Sequence, residues 1–212
     1  MQRPDSTIGV PSKPYVRQSW WIGLAYLASY VALDWASYVQ PFGQFSITPW
    51  NPHTGLSFAL ILLGGLRFIP LLFVAPFLAD LIVRHLPAPL PAGLLLWVII
   101  GAGYSAATLV LLNSRYGFQV RLPRLYDVWL LTLVATLSTV VVALLYAATL
   151  ASAHLLTWSD FYTAALRLWI GVLIGVPGVT PFALLVVAGR RFRTNWETLA
   201  QFAIMCAALW TI

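Results

Sequence analysis

The sequence predicts an all-α, polytopic transmembrane helical bundle with short loops, on three observations. Apolar and aromatic residues make up 60% of the 212 residues and charged residues only 8%, a balance that leaves a soluble fold nowhere to hide its surface. The apolar residues come in runs that approach or exceed the roughly 20 residues a helix needs to cross about 30 Å of hydrocarbon. Short segments rich in Gly, Pro and Arg separate the runs, so the chain accommodates about six to eight crossings and no separate soluble domain.

Residues 1–18 are polar, hold Pro4, Pro11 and Pro14, and read as a cytoplasmic tail ahead of a transmembrane domain over 19–212. No small-residue cleavage site follows the first apolar run, so the first span is retained. Helix one runs from about Ser19 to Val39 and ends at Pro41 and Gly43; the loop that follows closes at Trp50. Helices two, about Asn51 to Gly65, and three, about Phe68 to His85, form a tight pair around Gly64-Gly65-Leu66-Arg67, helix two being short for a crossing. The proline-rich connector 86–91 leads into helix four, about Ala92 to Asn113. A basic loop with Arg115, Arg121, Pro123 and Arg124 precedes helix five, about Tyr126 to Leu150. Helix six, about Thr163 to Ala188, is interrupted by Gly171, Gly175, Pro177, Gly178 and Pro181. After Arg190, Arg191 and Arg193, a seventh apolar run extends from about Trp196 to Ile212.

With the N-terminus in the cytoplasm, ten of the twelve basic residues fall inside and only Arg84 and Arg167 outside, as the positive-inside rule requires. This predicts a multi-pass membrane protein with a cytoplasmic N-terminus. The alternation sends the seventh run outward, so an eighth, returning helix is expected beyond this sequence, which then reads as truncated at its C-terminus. Trp20, Trp21, Tyr38, Trp50, Trp129, Trp158 and Trp169 lie near the ends of runs, where amphipathic rings suit the headgroup region of their lipid partner.

Charges in hydrocarbon cost roughly 2.5 to 3.5 kcal/mol on insertion scales unless paired or hydrated, so each requires an explanation. Asp34, in the outer half of helix one, is read as facing a hydrated cavity. Asp80 and Arg84 are four apart on helix three, the spacing of an ion pair on one face; a structural pair is the plainer reading and signal binding the sharper one. Arg67 closes the turn between helices two and three, where snorkelling or capping is expected. Arg124 and Asp127 place an acid in the first turn of helix five, an architectural feature. His53, His85 and His154 all fall on the outer side, where metal, haem or external pH are conceivable inputs. No two share ligand spacing on one helix, so no metal or cofactor is assigned and interfacial, solvated histidines are expected. In helix six, Gly171, Gly175, Pro177 and Pro181 read either as a packing helix with a fixed kink or as a hinge beside a ligand pocket, with Arg167 and Trp169 at its outer end.

The net charge of +6 comes from basic residues scattered between apolar runs, without the basic, aromatic-interleaved stripe of a nucleic-acid surface. The single cysteine, Cys206, excludes an internal disulfide. There is no nucleophile elbow, metalloprotease helix or phosphate-binding loop, so no enzyme is read from this chain and no catalytic residue is assigned.

One segment carries a resemblance. Trp50, Pro52 and Gly55, followed by Gly65, Arg67 and Pro70, resemble the W-x-P-x-x-G and G-x-R-x-x-P signature of the type-one family of bacterial membrane-associated sensor (MASE) domains. Pro123-Arg124-Leu125-Tyr126-Asp127 and Trp169-x-Gly171-x-x-x-Gly175, reaching Pro181, extend the similarity over about residues 20 to 190. The resemblance implies an eight-helix input module, in a bacterial inner membrane, of sensor histidine kinases and diguanylate cyclases, as in two-component systems. It further implies a small-molecule signal, a cytoplasmic output domain in cis and, since such proteins work as dimers, a homodimer, although no dimer face stands out. Val172 departs from the family, which carries an acidic residue after the helix-six glycine; this puts a shared ligand in doubt. Candidate ligand-binding residues are therefore Asp34, Trp50, His53, Asp80, Arg84, Arg167 and Trp169. Candidate structural or gating residues are Pro52, Gly55, Arg67, Pro70, Arg124, Asp127, Gly171, Gly175, Pro177 and Pro181. A small-solute transport subunit is the alternative, and a ligand-free scaffold the third reading.

Overall fold

The computed structural model describes residues 20–38, 45, 47–120, 122 and 124–187. Among them are six α-helices and no strand: α1 (Trp20–Ser37), α2 (Pro52–Gly64), α3 (Ile69–Ile82), α4 (Leu90–Leu112), α5 (Leu125–Ser152) and α6 (Phe161–Val187). The N-terminal tail and the expected seventh helix lie outside the described residues.

All-helical architecture agrees with the sequence, but seven separate crossings do not follow. Among the described residues, three stretches are long and apolar enough to cross a membrane: Leu90–Leu112, Leu125–Ser152 and Trp158–Leu184. Helices α2 and α3, at 13 and 14 residues, reach only about 20 Å. Helix α1 contains Asp34, Ser29, Ser37 and five aromatic residues with polar edges, which dilute its hydropathy. On α4, α5 and α6 the outward residues, among them Leu94, Val98, Leu133, Leu137, Leu166 and Ile170, are apolar and exposed, as a lipid-facing surface requires.

Helix α2 is the axis of the bundle. Twelve of its 13 residues are buried, so the helix is apolar nearly all round because nearly all of it meets protein. It packs against α1, α4 and α6, while α3 packs against α1 and α4, and α5 joins α4 to α6. The expected tight pairing of helices two and three is corrected here: their turn is tight, but beyond it α3 turns to α1 and α4. The turn depends on Gly65, whose φ of 84° and ψ of −179° form a combination open essentially to glycine. Its N–H closes α2 on the Ile61 carbonyl at 2.8 Å. A 3₁₀ turn, Leu66–Phe68, then feeds α3, where Pro70 occupies the first turn, the position that needs no N–H.

Helices α1 and α3 run parallel. Gly23 faces Leu71 near their starts, and Asp34 meets Arg84 at their ends. Helices α2 and α6 are also parallel, with Asn51 against Gly171 and Gly55 against Thr180. The ends of α1 and α3 and the starts of α2 and α4 therefore gather at one end of the bundle, where most of its buried charge lies.

Candidate functional site

The site is centred on Arg84, two residues past the end of α3. The chain reverses directly after it through His85 and Leu86, both left-handed, with φ of 53° and 57°. That conformation costs L-residues roughly 1 to 2 kcal/mol each. Reversal turns the guanidinium into the bundle, where its side chain is 3% exposed. Nη1 donates to Asp80 Oδ1 at 2.5 Å, closing the i,i+4 pair the sequence anticipates. Nη2 donates to both oxygens of Asp34 at 2.6 Å, and the Tyr38 ring lies 5.7 Å from the guanidinium carbon.

Asp34 therefore meets a cation from another helix in place of the expected hydrated cavity. Each carboxylate also has a ring nitrogen beside it. The Trp97 indole, from α4, donates to Asp80 Oδ2 at 2.5 Å, while His53 Nδ1, from α2, lies 3.6 Å from Asp34 Oδ1 and makes no hydrogen bond among the described residues. His53 is buried against the Tyr30 ring, with centroids 4.6 Å apart. The expectation of a solvated interfacial histidine is thus wrong for His53, whereas His85 and His154 are exposed. One guanidinium, two carboxylates and an indole tie α1, α3 and α4 together, with the α2 imidazole alongside, and such a network requires nearly every member to be satisfied at this depth.

Beside the cluster lies a small polar cavity lined by Tyr30, Asn51, His53, Thr54, Tyr104 and Tyr146 among others, with Val172 on its wall. About 10 Å³ is open to a water centre, room for about one water. Val172, where the resembled family has an acid, keeps that wall apolar.

A second feature fixes α2 against α6. Asn51 N–H donates to the Gly171 carbonyl at 3.0 Å and the Thr180 hydroxyl to the Gly55 carbonyl at 2.9 Å. Asn51 is held in turn by Thr48, whose hydroxyl donates to its Oδ1 at 2.7 Å. A Cβ on Gly171 would stand 2.4 Å from the Thr48 carbonyl oxygen, and one on Gly55 2.6 Å from that of Gly175. These glycines let two backbones touch. Helix α6 runs unbroken through Pro177 and Pro181, correcting the expected interruption: the glycines serve close packing.

The remaining candidates stand elsewhere. Trp50 is half-buried ahead of α2 and its carbonyl accepts from Thr48. Arg167 is exposed on α6. Trp169 lines an apolar pocket of about 260 Å³ between α5 and α6. Arg67 is exposed, its guanidinium 5.2 Å from the Phe68 ring centroid. Asp127 is fully buried and accepts from the backbone N–H groups of Gln119 and Arg124 at 3.0 and 3.3 Å, anchoring the preceding loop to the start of α5.

Sequence reasoning gathered Asp34, His53, Asp80 and Arg84 on one side but missed Trp97, Thr48 and the joining of Asp34 to Arg84. The last was accessible: two acids and one base in the same half of an apolar bundle require a shared pairing. Trp97 carried no such signal, being one indole within an apolar run. No protein-family model matches the chain, and neither does any curated protein or solved structure.

Proposed function

We infer that this chain is a membrane signal-sensing input domain, with the N-terminus in the cytoplasm of a bacterium and seven or eight crossings in the whole domain. It regulates a kinase or cyclase output domain on the same polypeptide, as the resemblance to the type-one MASE family implies. The observation that carries this reading is the buried Asp34–Arg84–Asp80 cluster, which joins α1, α3 and α4 beside His53 of α2. Altering its charge balance changes which helix ends are held together. Because α2 is keyed backbone to backbone onto α6, movement at the cluster is transmitted to α6 as a change of packing. Binding energy that favours one arrangement then biases the output.

The transport reading is less well supported. A solute site requires a polar chamber of solute size, and among the described residues the cavity beside the cluster holds about one water. The deciding experiment is to read the genomic frame downstream of the Ile212 codon. A histidine kinase or diguanylate cyclase domain in frame supports sensing; a stop codon followed by a transport ATPase gene overturns it.

A further inference from the structure

The buried cluster is one positive charge short. Its guanidinium bridges two carboxylates, so with Asp34 and Asp80 ionised and His53 neutral the group carries a formal charge of −1. Among the described residues, the titratable and charged groups facing it are Tyr30, Asp34 and Tyr38 from α1 and its end, His53 from α2, Asp80 and Arg84 from α3 and its end, Tyr104 from α4 and Tyr146 from α5. Helix α6 contributes only Leu168 and Val172 to the adjoining cavity wall. Arg84 is the only cation among these groups, and a net charge held in a low-dielectric interior is unfavourable.

The two carboxylates differ in one respect. Asp80 is completed by the Trp97 indole, a donor that takes no charge. Asp34 is flanked at the equivalent place by the His53 imidazole, whose Nδ1 is buried, 3.6 Å from Oδ1, and without a hydrogen bond among the described residues. An imidazole carrying its proton on Nε2 turns a lone pair toward a carboxylate there, and the two repel. Burial penalises a lone imidazolium, but it also penalises the unbalanced carboxylate, and one proton relieves the second without creating the first.

Taking the cluster as the sensing site, on which this step rests, we propose that its signal is the proton: His53 Nδ1 takes up one proton from the aqueous side, keeps it, and through it donates a hydrogen bond to the Asp34 carboxylate. One N–H bond forms, the cluster passes from −1 to neutral, and Asp34 is shared between His53 of α2 and Arg84, where before it was held by Arg84 alone. The grip of α1 is thereby divided between α3 and α2. The cavity bordered by His53 and Thr54 has room for about one water to hand the proton to the imidazole.

The test is nitrogen-15 histidine NMR on the full chain in lipid nanodiscs between about pH 4 and about pH 8, a range that spans ordinary histidine titration. His85 and His154, both exposed, are internal references. The expected result is an imidazolium at His53 on the acid side, its Nδ1 proton hydrogen-bonded to a carboxylate, with proton uptake lower by one per chain in His53→Gln. In Asp34→Asn that imidazolium is reduced several-fold at the same pH. The wild-type spectrum decides even if a variant does not fold. A His53 that stays neutral throughout while the chain remains folded overturns the proposal. So does an imidazolium unchanged in Asp34→Asn, or a charge balance that follows sodium at fixed pH. A neutral His53 ahead of an in-frame output domain removes the proton and leaves the sensor reading standing; a titrating His53 ahead of a stop codon does the reverse.

Discussion

Gly175→Ala and Gly178→Ala place the same methyl group on the same helix, three residues apart, with opposite expected outcomes. At Gly175 the new Cβ would stand 2.1 Å from the Asn51 carbonyl oxygen and 2.7 Å from its carbonyl carbon, where ordinary contact begins at 3.4 Å. Both obstacles are backbone atoms at the start of the buried α2, so α2 and α6 must part by roughly an ångström. Overpacking of this kind costs about 1 to 3 kcal/mol. Parting the helices also strains the bonds from Asn51 to Gly171 and from Thr180 to Gly55, each worth about 1 kcal/mol or more if its groups stay buried and unpaired. The expected loss for Gly175→Ala is therefore about 2 to 5 kcal/mol. At Gly178 nothing among the described residues lies within 4 Å of the added atom, and alanine's better helix propensity gives a gain of up to about 1 kcal/mol. Equilibrium unfolding of the purified chain in mixed detergent micelles, followed by circular dichroism, measures both. If the two variants are destabilised alike, or if Gly175→Ala is neutral, the backbone contact between α2 and α6 is not what holds this part of the bundle.

Other consequences are checked in the same way. Arg84→Met leaves Asp34 and Asp80 buried without their cation and is expected to cost about 3 to 5 kcal/mol; adding Asp34→Asn and Asp80→Asn should restore a substantial part, and no restoration would deny the pairing. Gly65→Ala forces a side chain into a backbone conformation nearly exclusive to glycine and should lose about 1 to 3 kcal/mol, read as a lower melting temperature. Asp127→Ala removes the acceptor of two backbone N–H groups at the start of α5 and should cost about 1 to 2 kcal/mol, with faster amide exchange at Gln119 and Arg124 by mass spectrometry or NMR.

Much of the fold was legible because helix ends in this chain carry local chemical marks. Gly65 stops α2, Pro70 starts α3, Pro91 lies in the first turn of α4 and Asp127 in that of α5, so the boundaries read from sequence agree within a few residues. Partnership between helices was less legible. Gly64-Gly65 announces a turn, but nothing local says that α3 then leaves α2 for α1 and α4. Apolar residues surround α2 whether it faces lipid or protein, so periodicity gave no direction. The candidate site shows the same division. Asp80 and Arg84 were joined by spacing alone, since i,i+4 is a local relation. Asp34 and Arg84 are 50 positions apart, and only the cost of a buried charge pointed to their union. His53 looked interfacial because it opens a helix; its burial comes from Tyr30 and from the packing of α1 over that end.

The enclosure of α2 has a consequence for assembly. As the chain leaves the ribosome, α2 emerges more than a hundred residues before Gly171, Gly175 and Thr180, which cover one of its sides. Until α6 is made, the backbone groups of Asn51 and Gly55 have none of their final partners from that helix, and a 13-residue segment too short to stand across a bilayer alone waits at the centre of an unfinished ring. The bundle is thus closed late, by an element distant in the chain, and α6 acts as the keystone that makes α2 an interior helix.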